Sequence, residues 1–366
     1  MTKRIQYFDI ARGIGIICVV LSHTLLDSQR IDGLSFGVAA TWIFRICFSF
    51  HMPLFFILSG YFMRPNRKFR WRKESDELLA TYALSSVAVI ILNAIREGIN
   101  HRSVLDGIRK WVVAAFYGSG AGFSNGTWEV KYPIGATWFL LALFWAHLII
   151  SLADKTPMPW MIILISFLVG YTLGQHIWLP FSLLSGMSAS LFVYIGRMIR
   201  QADSVTKLQS KSISSLIMWI LLILVWFIAI IRFDEFGLAT NRLGGHPAWS
   251  IAGAIAGTMT VVGISILIDY VPKVSEVLSL IGRGSLALLC IHMVEMNVFP
   301  WARMITALDV MFGHRMLWMM FFAIRLIMDL ILVICLYHIP VVNAIFFPSL
   351  QKELNEPRWF VEFLLQ

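Results

Sequence analysis

Long apolar stretches separated by short polar segments dominate the sequence. A stretch of about 17 to 25 mostly apolar residues is typical of a helix that crosses a membrane. We predict ten such helices, at approximately 8–27, 45–63, 78–95, 136–153, 160–175, 180–198, 213–231, 249–269, 284–299 and 316–339. The pattern therefore predicts an all-α polytopic membrane protein with about ten transmembrane helices, organised as one domain over residues 1–366.

Composition and charge agree with a membrane location. Hydrophobic residues make up 58% of the chain and charged residues 14%, whereas a soluble domain has roughly a quarter charged residues. Lys and Arg between the predicted spans are concentrated on the side that carries both termini, above all in the segment 64–73. Because cytoplasmic loops carry the excess of positive charge, we expect both termini in the cytoplasm and the protein in the inner membrane.

The net charge of +9 does not require a nucleic-acid partner. A basic inner face beside anionic membrane lipid accounts for it. The four cysteines, Cys18, Cys47, Cys290 and Cys335, all lie in apolar segments without paired spacing. The sequence therefore predicts neither a disulfide framework nor a metal site.

The first apolar segment carries two ionisable residues, Arg12 and His23, eleven positions apart. On a helix this spacing is about three full turns, so both side chains face the same way and lie roughly 16 Å apart along the axis. Ionisable groups within a membrane helix are costly and normally face a cavity or a partner. The pair is therefore a candidate functional site.

Two features follow in and after the second predicted span. Pro53 removes a helical hydrogen-bond donor beside His51 and predicts a kink in this span. His51 either has a functional role at the bend or forms a hydrogen bond with a neighbouring backbone carbonyl. The segment from Arg64 to Lys73, which includes Arg67 and Arg70, then carries six cations. This segment is either an ordinary stop-transfer signal or an anion site, since guanidinium groups match phosphate geometry.

Aromatic residues gather before the fourth predicted span. Trp128, Glu129 and Tyr132 precede Trp138, and flat aromatic faces beside a carboxylate could hold a sugar. An interfacial aromatic belt explains the same residues. Near the ninth span, His292 and Glu295 are neighbours on a helix, which would let the carboxylate orient the ring, although a simple buried hydrogen bond explains them equally well.

Taken together, these residues resemble the acyltransferase-3 family of integral membrane O-acyltransferases, which modify bacterial cell-surface glycans. The resemblance covers approximately residues 5–345. Five motifs match in order: Arg12 with His23, the stretch 48–60 that contains His51, Pro53 and Ser59, Arg67 with Arg70, Trp138 to Leu140, and Gly282, Ser285, Leu286 and His292. Many relatives have a Pro-Tyr pair early in span three, where this chain has Thr81 and Tyr82. We also expect the stand-alone membrane form, without the soluble esterase-like domain of larger relatives.

The resemblance implies transfer of an acyl group, with acetyl expected, from cytoplasmic acyl-CoA to a hydroxyl of a surface or lipid-linked sugar, without a metal. We expect His23 and Arg12 to be catalytic, with His23 as general base since the unperturbed pKa of histidine is about 6.5. An acyl-histidine intermediate is the less favoured alternative. Donor-binding residues would be Arg67, Arg70, Arg12 and Ser59, and acceptor-binding residues Trp128, Glu129, Tyr132 and Trp138. His51, His292 and Glu295 are secondary candidates.

The main alternative from another class is a polytopic transporter or flippase for a small metabolite or lipid-linked sugar. Such proteins often contain internal repeats with broken helices at matching positions. The sequence shows a single such break, at Pro53. A polytopic sensor is a third interpretation, but the sequence contains no recognisable signalling domain.

Overall fold

Helices form nearly all of the secondary structure. A computed structural model describes residues 5–29, 37–64, 69–125, 128–312, 317–339 and 346. In chain order the helices are α1 (Gln6–Gln29), α2 (Gly37–Phe62), α3 (Trp71–Glu74), α4 (Ala80–Ile99), α5 (Val104–Tyr117), α6 (Trp138–Ala153), α7 (Pro159–Leu173), α8 (Leu183–Gln201), α9 (Ser204–Gln209), α10 (Ile213–Ile231), α11 (Pro247–Ile268), α12 (Pro272–Arg283), α13 (Ser285–Val298), α14 (Trp301–Phe312) and α15 (Leu317–Tyr337).

Short irregular elements complete the fold. A π-helical turn, Ser75–Leu79, joins α3 to α4, and 3₁₀ turns lie at Pro180–Ser182 and Leu238–Thr240. Two antiparallel strands, β1 (Phe123–Ser124) and β2 (Glu129–Val130), form a hairpin. The segment 96–135, which lies between two predicted spans, therefore contains α5 and a small sheet. Helix α5 begins with a capping bond from the Asp106 amide to the Ser103 hydroxyl and ends at Gly118 with φ of 64°, as expected for a capped helix.

Each of the ten predicted spans falls on a helix, but the count of ten is not confirmed. Within the described ranges, seven helices are long and apolar enough to cross a membrane, or eight if the pair α12 and α13 counts as one span bent by 64°. The remaining two, α6 and α7, have 16 and 15 residues. A helix of that length rises about 24 Å, less than the roughly 30 Å of the hydrocarbon layer. The protein is a multi-pass membrane protein.

Glycines allow the helices that carry candidate site residues to pack closely. A Cβ atom added to Gly13 of α1 would overlap the carbonyl oxygen of Leu278 in α12, and one added to Gly282 would overlap the carbonyl of Asp9. Gly60 of α2 and Gly196 of α8 make the equivalent pair of contacts. Small residues are common where membrane helices approach at backbone distance. These contacts fix the N-terminal half of α1 against α12 and the C-terminal end of α2 against α8.

Helix α6 lies at the centre of the largest apolar cluster. Leu140, Ala142 and Ala146 are completely buried, with the α2 residue Phe56 in the same cluster. The only ionisable side chain on α6 is His147, which is partly exposed. An imidazole on such an apolar helix is expected to face a cavity or a polar partner.

Candidate active site

Helix α1 places Arg12 and His23 at two different sites. Both residues face α2 and α13: Arg12 lies 5.2 Å from the ring centroid of Phe62 and lines a cavity with Ser285, while His23 contacts rings of Phe48 and His292. The helix is continuous between them, so they are separated by roughly 16 Å along its axis. The shared face agrees with the spacing argument.

The first site centres on two histidine rings. The imidazoles of His23 and His292 stack with their centroids 5.5 Å apart and their planes at 24°. The edge of the Phe48 ring lies against His23, with 6.5 Å between centroids. The structure therefore brings together the main and a secondary histidine candidate, which come from opposite ends of the sequence.

Two carboxylates fix the orientation of His292. Its Nδ1 lies 2.9 Å from Oε1 of Glu295 and 3.0 Å from Oδ2 of Asp329, and all three side chains are buried. A carboxylate accepts hydrogen bonds, so the Nδ1 atom carries the ring proton and Nε2 has the lone pair. Within the described part of the chain, Nε2 of His292 is buried and has no hydrogen-bond partner. The ring is therefore arranged to accept a proton at Nε2.

Arg325 joins these residues to α1. Its Nε and one terminal nitrogen donate to Oε1 of Glu295 at 2.9 and 2.7 Å, and its other terminal nitrogen donates to Oδ2 of Asp27 at 3.0 Å. The guanidinium also lies 5.2 Å from the ring centroids of Trp301 and Phe321. A buried charge is tolerated only when it is paired and hydrogen-bonded, and here one arginine serves carboxylates of two helices. Helices α1, α13 and α15 each contribute two members to this cluster.

The donor atoms of His292, Glu295 and Asp329 lie within 4.8 Å of one another, which is a spacing that could hold a metal ion. Both carboxylates lie within hydrogen-bond distance of the same nitrogen of His292, and Arg325 donates to Oε1 of Glu295. Among the residues that the structure describes, Oε2 of Glu295 and Oδ1 of Asp329 have no hydrogen-bond partner. In the observed geometry the carboxylates orient the His292 ring.

His51 forms the local bond that its position beside a kink favours. Its Nδ1 donates to the carbonyl of Cys47 at 2.7 Å, one turn back on α2, and the ring is buried. Pro53 lies within the same helix. The ring contacts Phe48, with centroids 5.0 Å apart, so His51 supports the side chain that packs against His23.

The second site is a cavity of about 410 Å³ at the Arg12 end of α1. Polar and charged side chains from six elements and from the residue that precedes α3 line it: Arg12, Ser59, Arg70, Lys73, Glu74, Glu77, His147 and Ser285. Three of the four expected donor-binding residues, Arg12, Arg70 and Ser59, therefore share one cavity. Arg67 lies outside the described residues.

Two of the cavity's cations have carboxylate partners. Arg12 donates to Oδ1 of Asp9 at 3.0 Å, and Lys73 lies 3.4 Å from Oε1 of Glu77. The cavity also contains a chain of hydrogen bonds from Ser59 to His147 at 2.8 Å and from His147 to Glu74 at 2.8 Å. Charged and neutral hydrogen-bond donors therefore face the same cavity, which suits an anionic ligand.

The expected acceptor-binding residues do not share one environment. Glu129 lies on β2 and pairs with Lys131 at 3.5 Å, while the exposed Trp128 caps the hairpin through its amide. Tyr132 is exposed beside Lys110. Trp138, in contrast, is 3% exposed and packs in the core with Phe56. Because the first turn of α6 faces the interior, Trp138 presents no open indole face to a sugar.

Six polar members of the two sites were not singled out from the sequence: Asp27, Glu74, Glu77, His147, Arg325 and Asp329. A signal for two of them is present, because Arg325 and Asp329 are opposite charges four residues apart in the last apolar segment. Charged residues within a span indicate function or pairing. Asp27 lies one turn after His23, and His147 interrupts an otherwise apolar segment.

The comparisons with known proteins agree with the sequence motifs. A family model described as an acyltransferase domain matches residues 5–338. Comparisons with curated proteins and with solved structures found no match. The matched range contains both sites and extends over nearly the whole chain. The protein therefore belongs to the acyltransferase-3 family and is a membrane acyltransferase.

Proposed function

We propose that the protein is an O-acyltransferase of the inner membrane that moves an acyl group, acetyl in the first instance, from cytoplasmic acyl-CoA to a hydroxyl of a cell-surface or lipid-linked sugar. The observation that carries the proposal is the arrangement of two sites on one face of α1. A cationic cavity surrounds Arg12, and a carboxylate-oriented histidine pair lies at His23. A cationic cavity suits the donor, and a histidine pair suits the chemistry.

The proposed donor site is the cavity around Arg12. The phosphates of acyl-CoA would meet Arg70, Arg12 and the Ser59 hydroxyl, with Arg67 on the adjoining segment. Guanidinium groups bind phosphate oxygens through parallel hydrogen bonds. The pantetheine arm would then extend along α1, and the roughly 16 Å between Arg12 and His23 is a distance that an extended arm can bridge.

The proposed chemical step takes place at the histidine pair. His23 accepts the proton of the acceptor hydroxyl, whose oxygen attacks the thioester carbon. The carbon–sulfur bond breaks and the CoA thiolate takes the proton. His292, stacked on His23 and held by Glu295 and Asp329, is the positioning residue that keeps the His23 ring in place. A positioned general base typically contributes about 100-fold to 10,000-fold.

The proposed topology has ten membrane crossings, with α6, α7 and the bent pair α12 and α13 included, and both termini in the cytoplasm. The excess of Lys and Arg in the segment 64–73 supports this orientation. Arg70 and Lys73 then lie at the inner face beside the donor cavity, and the hairpin with Trp128 and Glu129 lies at the outer face. Donor and acceptor would enter from opposite sides.

The experiment that tests the proposal combines purified protein with glycan analysis. Purified protein should release CoA from acetyl-CoA, and the surface glycans of cells that carry the gene should gain acetyl groups that are lost with His23→Ala. A transporter or flippase would leave acetyl-CoA intact and change the location of a sugar without changing its mass. Glycans of equal mass with and without the gene would reject the transfer reaction.

A further inference from the structure

Three side chains from different elements form a hydrogen-bonded chain within the cavity around Arg12. The Ser59 hydroxyl of α2 lies 2.8 Å from Nε2 of His147 in α6, and Nδ1 of His147 lies 2.8 Å from Oε2 of Glu74 in α3. The His147 and Glu74 side chains are 13% and 17% exposed, so a ligand in the cavity can reach the chain. Neither the motifs nor the proposed transfer step uses His147 or Glu74.

The partners determine the protonation of the ring. Glu74 accepts a hydrogen bond, so Nδ1 of His147 carries the proton and Nε2 accepts the proton of the Ser59 hydroxyl. This order of hydroxyl, imidazole and carboxylate also occurs in enzymes with a serine nucleophile. Such enzymes additionally aim backbone N–H groups at the developing oxyanion.

The backbone at Ser59 argues against a nucleophile. Ser59 and Gly60 lie inside α2, where amide groups bond to carbonyls one turn back. The charged groups that face His147 across the cavity are instead Arg12, Arg70, Lys73, Glu74 and Glu77. Lys73 is paired with Glu77, and Arg12 with Asp9. Besides these two paired cations, an anion in the cavity would meet hydrogen-bond donors on Arg70, Ser59 and His147. The surroundings favour binding of an anion over attack on a carbonyl.

The chemistry of the chain selects a particular anion. A phosphate monoester has three terminal oxygens, carries close to two negative charges at neutral pH and has a second pKa of about 6. It can therefore accept hydrogen bonds from a hydroxyl and an imidazolium at once. A pyrophosphate diester carries one charge on each phosphorus and gains less from an additional proton on the ring. Histidine is the side chain that takes up a proton in this pH range.

We propose that Ser59, His147 and Glu74 form a subsite for a phosphate monoester of the donor, and that His147 takes up one proton from solvent when this phosphate binds. The inference rests on the proposed function, because CoA carries such a group at its ribose 3′ position. On binding, Nε2 becomes a donor to the phosphate, the Ser59 hydroxyl turns from the ring to a phosphate oxygen, and Glu74 continues to accept the Nδ1 proton and stabilises the imidazolium. The phosphate monoester is the specificity element of the donor.

The sign of the pH dependence follows from the proton balance. A ligand whose binding takes up a proton binds more weakly as the pH rises, by up to about tenfold for each pH unit. CoA should therefore lose affinity between about pH 6.5 and pH 8.5, the range in which the phosphate monoester is already mostly dianionic and a free imidazole is increasingly neutral. Dephospho-CoA lacks the 3′ phosphate, so its affinity should change little over the same range.

Titration calorimetry of the purified full-length protein with CoA and with dephospho-CoA tests the subsite without depending on turnover. Near pH 6.5 we expect CoA to bind more than about tenfold tighter, with the difference shrinking toward pH 8.5. At about pH 7.5, where a free imidazole is mostly neutral, comparing buffers with different heats of ionisation should show uptake that approaches one proton for CoA and much less for dephospho-CoA. His147→Gln and Glu74→Gln should abolish the proton uptake and the pH dependence, while binding dephospho-CoA with the affinity of the wild type, which shows that they are folded.

The exposed His176 supplies a matched control, since His176→Gln should retain the behaviour of the wild type. Equal affinities of the wild type for CoA and dephospho-CoA would overturn the subsite and leave the proposed donor standing. Proton uptake that persists in His147→Gln would overturn it as well. Binding of neither compound would reject acyl-CoA as the donor and the subsite with it.

Discussion

His23 and His292 stack with ring centroids 5.5 Å apart, although they come from the first apolar segment and from α13 near the end of the chain. Their contact ties α1 to α13, and Arg325 ties both helices to α15 through Asp27 and Glu295. The histidine expected to act as a base is therefore built into a buried cluster of ionisable residues. Turnover should depend on the residues that hold both rings in place.

The two histidines should behave as one unit. His23→Ala is expected to lower turnover by about 100-fold or more, the usual scale for a general base, while expression stays near normal. His292→Ala should also lower turnover because it removes the ring that positions His23. Residues that act together show strongly non-additive losses, so the double variant should be little worse than His23→Ala alone.

Initial rates with saturating donor, measured on the three variants, check this expectation. His176→Ala, at an exposed position, serves as the control for a histidine outside both sites. Losses that multiply in the double variant would show that the histidines act independently. Activity of His23→Ala within threefold of the wild type would move the base to His292.

Asp329 should matter through the tautomer of His292. Asp329→Asn removes one of the two carboxylates that accept from Nδ1 of His292 and leaves Glu295 as the other, so the tautomer with its lone pair at Nε2 is held more weakly. We expect turnover to fall by about 10-fold to 100-fold with the donor KM nearly unchanged, together with a shifted pH profile of kcat. The exposed Asp234 provides the control, as Asp234→Asn should leave both constants unaltered. A raised KM with normal kcat would place Asp329 in binding instead.

Arg70 should act on donor binding. Arg70 lines the cavity at the Arg12 end of α1, whereas the histidine pair lies toward the other end of that helix. Contacts remote from the reacting carbonyl mostly stabilise the bound substrate and the transition state equally. Arg70→Ala is therefore expected to raise the KM for acyl-CoA more than it lowers kcat. Arg72→Ala is the matched control, since Arg72 is exposed on the same segment and does not line the cavity. Steady-state kinetics decide the matter, and a pure loss of kcat in Arg70→Ala would place this arginine at the reaction centre.

The contact between α1 and α12 should limit stability. Gly13→Leu forces a side chain onto the backbone of α12 at Leu278, and overpacking of this kind typically costs about 1–3 kcal/mol. The thermal midpoint of the purified protein should fall accordingly. Gly98→Ala, where an added Cβ would meet only the Val104 side chain at 3.5 Å, should leave the midpoint nearly unchanged. An unaltered midpoint for Gly13→Leu would show that α1 and α12 can separate at little cost.

Hydrophobic patterning was sufficient to locate every segment that became a long apolar helix, because burial in lipid requires length and low charge. The predicted number of ten crossings is not confirmed, since α6 and α7 are short and Gly284 separates α12 from α13 by a bend of 64°. The spacing of Arg12 and His23 was informative because both lie on one continuous helix.

Partners across helices were harder to predict. Nothing in the local sequence of His147 indicates that Glu74 and Ser59 will meet its two ring nitrogens, because that contact depends on how α6 packs against α2 and α3. Trp138 shows the reverse case. Its aromatic neighbours suggested a binding face, but the packing of α6 buries it beside Phe56.

In the proposed function, donor and acceptor meet across the membrane, with the cationic cavity on one side and the hairpin of β1 and β2 on the other. The most direct test uses oriented vesicles that contain the purified protein, with acetyl-CoA on the side of Arg70 and Lys73 and an acceptor glycan on the side of Trp128 and Glu129. If the proposed function is correct, CoA is released on the first side and acetylated glycan forms on the second. Recovery of both products on the side of Arg70 would contradict it.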